Sequence, residues 1–372
     1  MKTGVLVGEP IGHGKNIGDY IQSVASQQFC SKVDYYVNRE QLRSFLADKK
    51  SEKVKVILNA WFMWNQEEWP PSDVIVPLLI SVHLSPLVRD LMTSGAGWDF
   101  LKKNEPIGCR DEETKLYLES KGLKSYFSGC LTLTLGRTFH ATEERKKIYF
   151  VEPYTPESEY KKWGKFCLFL PSFIKSIRHP ALLNNLRKKS MFKSYRNLPY
   201  NPNEDSLSKL RSFFISIFRA SLFIDIYEKK FSISVLSNAE YISQVIYIED
   251  IQRENINEEC MKLAEMFIKK YANAAYVVTS RIHCALPCLG MGTPVIFTDN
   301  ANIENEKWNG KRLNGLRDFF RILNVKRCTI TTSDEILTKT KYFDINTRFE
   351  NKDNWKPYAD KMIGECEKFM NV

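Results

Sequence analysis

Arg281 and His283 stand two residues apart in the stretch Ala-Tyr-Val-Val-Thr-Ser-Arg-Ile-His-Cys-Ala-Leu-Pro-Cys-Leu-Gly-Met-Gly-Thr-Pro-Val-Ile-Phe, residues 275–297. A guanidinium presents a planar fork of donors that matches carboxylate or phosphate oxygens, and an imidazole carries a proton near neutral pH. Together they suit a small anion that must also gain or lose a proton. Each also has a plain structural reading, the Arg as a surface residue and the His as a packed one. Arg110 follows the short run Pro-Ile-Gly-Cys and precedes Asp111, which repeats the placement of Arg281. Near the start, Lys15, Asn16, Gly18 and Asp19 lie in a glycine-rich loop whose backbone can approach a ligand closely, or which is simply a flexible turn. Gly12, Gly14 and Gly18 do not keep the GxGxxG spacing, so no dinucleotide fingerprint is supported.

The elements that must hold these groups follow from the apolar pattern. Residues 275–279 form an apolar, β-rich run, as expected of a central parallel strand covered on both faces. Ser280 is placed to cap a helix from about Ile282, Gly290 and Gly292 to close it, and residues 293–297 to return as a strand. Arg281 and His283 then fall at a strand's carboxyl end and a helix's first turn, where free N–H groups and the helix dipole favour an anion; Ser280 joins them as a candidate ligand.

The first half alternates in the same way. It has strands at 4–8, 33–37, 54–59, 74–83 and 126–135, and helices through Tyr20, Ile21, Val24 and Ala25, at 39–47, and at 111–120 with Asp111 as cap and Gly122 as stop. His83 ends one strand and reads as structural. The rings of Trp61, Phe62, Trp64 and Trp69, with Met63 among them, suit edge packing or sugar stacking. A charged connector at 143–147 leads to a new strand at 148–151. Further on come a helix at 206–228 with Phe213, Phe214 and Phe218 as its apolar face, and a strand at 245–248. A helix at 257–272 carries Cys260, Leu263, Ala264, Phe267, Ile268 and Tyr271 on one face. The polar loop 298–313, with Lys307, Lys311 and Arg312, resembles a mobile rim; helices at 317–323 and 355–370 end the chain. The fold class is α/β, with two Rossmann-like domains facing a cleft, 1–142 and 143–335, and a helical segment 336–372 crossing back to the first domain.

Composition narrows the partners without choosing one. The 372 residues are 43% apolar and 26% charged, an ordinary globular balance, with net charge +10. That charge suits an anionic small substrate, an acidic membrane surface or nucleic acid. No helix-turn-helix, zinc-finger or RNP-type signature is evident, so no nucleic acid is expected. The segment 173–196 alternates basic with apolar residues and predicts a solvated helical pair, a peripheral contact with an anionic bilayer or a site for an acidic substrate. Nine scattered cysteines give neither a disulfide framework nor zinc spacing, so buried thiols and no metal or cofactor are expected. With no long apolar run and an early acidic residue at the N-terminus, the expected location is cytoplasmic.

Three segments resemble the polysaccharide pyruvyl transferase family: Asn16-Ile-Gly-Asp; Gly108-Cys-Arg-Asp-Glu-Glu-Thr with the later Gly122; and Val277-Val-Thr-Ser-Arg-Ile-His with Leu289-Gly-Met-Gly-Thr-Pro-Val. They occur in family order over roughly residues 1–300. The resemblance implies a glycosyltransferase-B-like fold and transfer of pyruvate from phosphoenolpyruvate to two hydroxyls of a sugar in exopolysaccharide biosynthesis, giving a ketal and phosphate. The acceptor would be a sugar or a lipid-linked oligosaccharide. Arg281 and His283 match the donor-binding positions, Asn16, Gly18 and Asp19 the N-terminal loop, and Arg110 with Asp111 the central Arg-Asp. The family often has a lysine about twenty residues after the histidine; here that place falls near Ile303, and Lys307 is the nearest candidate. The chemistry needs fixed cations and a pair of proton carriers. His283 and Asp19 are the catalytic candidates, Asp19 being preferred to Asp111 because Asp111 has a capping role. Two other readings stay open, a nucleotide-sugar glycosyltransferase of the same architecture and a non-catalytic glycan-binding relative.

Overall fold

A computed structural model describes residues 1–8, 14–48, 52–62, 64–159, 162–193, 206–247, 255–300 and 311–371. Lys307 and Met63 lie outside these residues, as does the side chain of Lys15. Two sheets organise the chain. The first has four parallel strands in the spatial order Tyr35–Asn38, Lys2–Val7, Val54–Leu58, Ile75–Leu79. The second has the order Glu240–Ile242, Lys147–Val151, Ala274–Thr279, Val295–Asp299, Arg321–Lys326, Thr329–Thr331, all parallel but for the last pair. Within each sheet the second strand in sequence pairs with the first on one side, and the third and fourth continue on the other. Such an order reverses direction beside the first strand, and the crevice outside the carboxyl ends at that point is where ligands bind in open sheets.

The strand Ala274–Thr279 is buried along its whole length, as its unbroken apolar sequence requires. The helix before it, Ile256–Ala272, buries Cys260, Ala264, Phe267, Ile268 and Tyr271. Burying large apolar side chains of this kind contributes roughly 1.5–3 kcal/mol each. The largest apolar core is continuous across both halves of the chain. It joins Val5, Val7 and Ile21 to Leu131 and Leu133, then to Ala264, Leu286 and Met362. A short antiparallel pair, Gly14–Asn16 with Val245–Tyr247, also links the halves. The terminal helix Lys356–Asn371 lies on first-half residues. Lys55 Nζ donates to its Phe369 carbonyl at 3.0 Å, Arg137 Nη2 meets Glu367 at 3.0 Å, and the Tyr126 hydroxyl donates to Glu365.

Several expected elements differ, each for a local reason. Residues 39–47 are turns rather than a helix: Arg39 and Glu40 are buried, and the Glu40 carboxylate accepts from Asn65 N at 2.8 Å. The alternating Leu-Thr run in 126–135 is not a strand; strand ends at Phe127 and Leu131–Arg137 is a 3-10 helix. Alternation misleads there because both residue types are buried, Thr134 turning its hydroxyl back to the Leu131 carbonyl at 2.7 Å. Strand 74–83 stops at Leu79, before Ser81 in the left-handed region at φ 59°, and resumes as His83–Leu84. Residues 317–323 divide into a 3-10 turn, Arg317–Phe319, and the start of the strand Arg321–Lys326. Phe213 and Phe214 do not form the buried face of the helix Ser206–Tyr227; that face is Ala220, Phe223 and Ile224. Cys167 is exposed, unlike most of the thiols.

Candidate active site

The helix Ile17–Gln27 and the helix Ile282–Gly290 bring their first turns together. Gly18 is buried, and a methyl group on it would lie 3.1 Å from both Cβ and Nδ1 of His283. Asn16 caps the first of these helices, its Oδ1 accepting from Gly18 N at 3.1 Å, so a capping bond occupies the oxygen expected to face a ligand. Asp19, in the same first turn, is partly exposed and stands 3.9 Å from Nη2 of the buried Arg39. Lys15 pairs through its backbone with Ile246.

The second helix contains Pro287, which has no N–H to give to the His283 carbonyl four residues earlier. Gln244 Nε2 donates to that carbonyl at 3.3 Å and to the Tyr271 hydroxyl at 3.0 Å, while the Gln244 carbonyl accepts from Ile17 N at 2.8 Å. One glutamine therefore ties the histidine turn to the glycine loop. The His283 side chain is nearly buried, and its Nε2 has no hydrogen-bond partner among the described residues. Burial pushes its proton affinity well down, and the charges of Arg110, Arg312, Arg39 and Arg281 push it further. Burial first, and the guanidinium charges after it, favour the neutral imidazole.

Arg281 has its carbon stem at the carboxyl end of the strand Ala274–Thr279. It is the N-cap residue of the following helix, and no side chain caps that helix; the expected cap, Ser280, instead gives its hydroxyl to the Glu152 carbonyl at 2.6 Å. Gly290 is inside the helix, and Gly292, at φ +66°, is the glycine that needs the left-handed region beyond it. Arg281 Nε donates to Glu152 Oε2 at 2.7 Å. Glu152 follows the strand Lys147–Val151 with φ 42°, uncommon for a residue with a side chain, and its carboxylate also accepts from Ser243 Oγ at 2.7 Å. That carboxylate fixes the plane of the guanidinium.

Behind them lies a buried ionic group. Asp111 caps the helix Glu112–Ser120 through Thr114 N at 2.9 Å, as its sequence position predicts. Its other oxygen is 2.6 Å from His83 Nδ1 and 3.8 Å from Arg110 Nε. All three side chains are essentially buried. Burial alone would raise the Asp111 carboxyl, but the hydrogen bonds from His83 and Thr114 N and the Arg110 guanidinium outweigh it and hold the group ionised. Burial and Arg110 lower the proton affinity of His83, so we assign a neutral ring whose Nδ1–H donates to Asp111. Among the described residues, His83 Nε2 and Arg110 Nε have no hydrogen-bond partner. A buried donor and a buried lone pair left open together are what an incoming polar group would satisfy.

Of the expected residues, the structure brings Gly18, Asp19, Arg110, Ser280, Arg281 and His283 to one region, and assigns Asn16 and Ser280 to backbone contacts. It adds Arg39, Glu152, His83, Gln244 and Arg312. Arg39 follows a strand's carboxyl end just as Arg281 does, a signal hidden by the helix expected at 39–47. Arg312, expected only as rim, lies near enough to influence His83, His283 and Asp299. Among the described residues no group of three or more His, Cys, Asp or Glu could hold a metal ion.

Matched strand orders in two parallel sheets, with arginines and an imidazole at their carboxyl edges, define an α/β protein with a cationic, proton-carrying site. No curated protein gives a significant match to the chain. The family model for polysaccharide pyruvyl transferase matches residues 16–302, about three quarters of the sequence, and the chain belongs to that family. It is accordingly a transferase, and the family implies a glycan acceptor.

Proposed function

We propose that this chain moves pyruvate from phosphoenolpyruvate onto two hydroxyls of a sugar in a cell-surface glycan precursor, forming a ketal and releasing phosphate. The observation that carries this reading is the neutral, nearly buried His283 with its unpartnered Nε2, set among Arg39, Arg110, Arg281 and Arg312. Phosphoenolpyruvate brings a carboxylate and a phosphate. Those charges offset the guanidinium charges, and with them in place the imidazole regains proton affinity. Donor binding thus favours the acid: the anion offsets the guanidinium part of what holds the His283 proton affinity down, and burial remains.

In this mechanism His283 gives its proton to the methylene carbon, and the adjacent carbon becomes cation-like. One acceptor hydroxyl adds there and loses its proton; the bond between that carbon and the phosphate oxygen breaks; the second hydroxyl closes the ketal. Two protons leave the acceptor, one replacing the proton given to the methylene and one departing with phosphate. Asp19 is the base on the acceptor side, and Glu152 keeps Arg281 aimed at the donor. The two parallel sheets with matched orders support a two-domain, glycosyltransferase-B-like arrangement, and the donor is a cytoplasmic metabolite, which places the reaction in the cytoplasm.

The test is phosphate release from phosphoenolpyruvate with candidate glycans. We expect Arg281→Ala and His283→Asn to lower turnover at least about a hundredfold. Retained turnover in Arg281→Ala would refute the site. Thermal stabilisation by uridine or guanosine diphosphate with none by phosphoenolpyruvate would favour a nucleotide-sugar transferase.

A further inference from the structure

The helices Lys162–Ser176 and Ser206–Tyr227 pack along each other with polar groups buried in their contact. Beside the edge-on pair Phe169 and Phe218, Ser176 Oγ donates to Ser221 Oγ at 3.0 Å and Ser172 Oγ donates to Asp225 Oδ2 at 2.9 Å, and these four polar residues are buried. Other large apolar side chains are exposed. Leu170, Ile174 and Ile177 recur at helical spacing along the first helix and just past its end, and Leu207, Leu210 and Phe214 along the second, each about half exposed or more. A monomer surrounded by water has the opposite preference, so this face has another neighbour.

Charge identifies the neighbour. Neither 162–193 nor 206–224 contains an acidic residue, whereas the same stretches carry Arg178, Lys188, Lys189, Lys209 and Arg211 on exposed or half-exposed positions. Arg187 lies over the Phe213 ring at 5.0 Å, so cationic and apolar groups share one surface. Two copies of such a face would repel each other. No helix of the described residues is long and apolar enough to cross a membrane. We propose that this helix pair lies on an anionic lipid bilayer, its Leu, Ile and Phe side chains entering the acyl boundary and its Lys and Arg meeting the headgroups. The inference is independent of the catalytic reading and would bring the transferase to lipid-borne acceptors.

The full chain would be sedimented with vesicles of phosphatidylcholine alone or mixed with phosphatidylglycerol. Binding is expected only to the mixed vesicles and should weaken as salt rises. The double variant Ile174→Ser/Leu210→Ser and, separately, Lys188→Glu/Lys189→Glu should each weaken binding about tenfold or more. All four positions are exposed or half-exposed, so unchanged melting temperatures are expected and would establish that the variants fold. No binding to mixed vesicles would overturn the proposal. So would binding indifferent to the apolar variant, which means charge adsorption alone, or a dimer in solution that Ile174→Ser/Leu210→Ser dissolves, which means that a second copy covers the face. Phosphate release with a soluble acceptor, measured alongside, should be unaffected by either variant.

Discussion

Gly18 shows how little room the site leaves. Its φ is ordinary and its backbone accepts any residue, but a methyl group there would press on the His283 ring at 3.1 Å and on Asn16 Oδ1 at the same distance. Gly18→Ala should therefore displace the imidazole by a few tenths of an ångström. We expect turnover to fall about tenfold or more with a stability change under about 1 kcal/mol, a split that paired kinetic and melting measurements would reveal. Of the site residues, those legible in sequence were the ones whose role is set by a neighbouring element: Arg281 and His283 after an apolar strand, Asp111 before a helix. Arg39 follows a strand, a signal hidden by the helix expected at 39–47, whereas Glu152 and Gln244 act on a group more than a hundred positions away or at a kink in another element. No local pattern marks such partners.

At the scale of elements, the 3-10 helix Leu131–Arg137 and the helix Ile282–Gly290 touch backbone to backbone. A Cβ on Gly290 would overlap the Leu133 carbonyl, and one on Gly136 would overlap the Gly290 carbonyl. Gly290→Ala should cost on the order of 3 kcal/mol, read as a shift of the denaturation midpoint, since backbone on both sides must give way. In sequence Gly290 looked like a helix stop, because a glycine near a helix end has that use most often. Periodicity located the helices at 257–272 and 355–370 and the strand at 275–279 well, since each buries one face or all of itself. It failed at 126–135, where Leu and Thr are buried alike, and it misplaced the apolar face of the helix at 206–228, where Phe213 and Phe214 are exposed. Burial there is decided by tertiary neighbours rather than by pattern.

For the whole molecule, two buried neutral imidazoles make stability depend on pH. Folding lowers the proton affinity of both His83 and His283 below the ordinary value of 6.5. Above that pH neither the folded nor the unfolded chain binds a proton at these sites, and stability is flat with respect to them. Below it the unfolded chain takes up protons that the folded chain does not. Stability is then lost as pH falls, by up to about 1.4 kcal/mol per pH unit for each imidazole. Melting temperatures between about pH 7.5 and pH 5.5 should decline, and His283→Asn should flatten the decline. An unchanged slope in that variant would mean that the imidazole is protonated in the folded chain.

Pro287 leaves the His283 carbonyl without its helical donor, and Gln244 fills the vacancy. The irregularity is thus a latch, and its removal should separate endurance from work. Pro287→Ala would restore the missing rung of the helix, a gain of up to about 3 kcal/mol where the backbone can straighten. The Gln244 side-chain amide would then keep only its Tyr271 partner and tie the histidine turn less firmly to the glycine loop that its carbonyl holds. The expected product is a sturdier but slower enzyme, recognisable as a higher melting temperature together with a lower kcat.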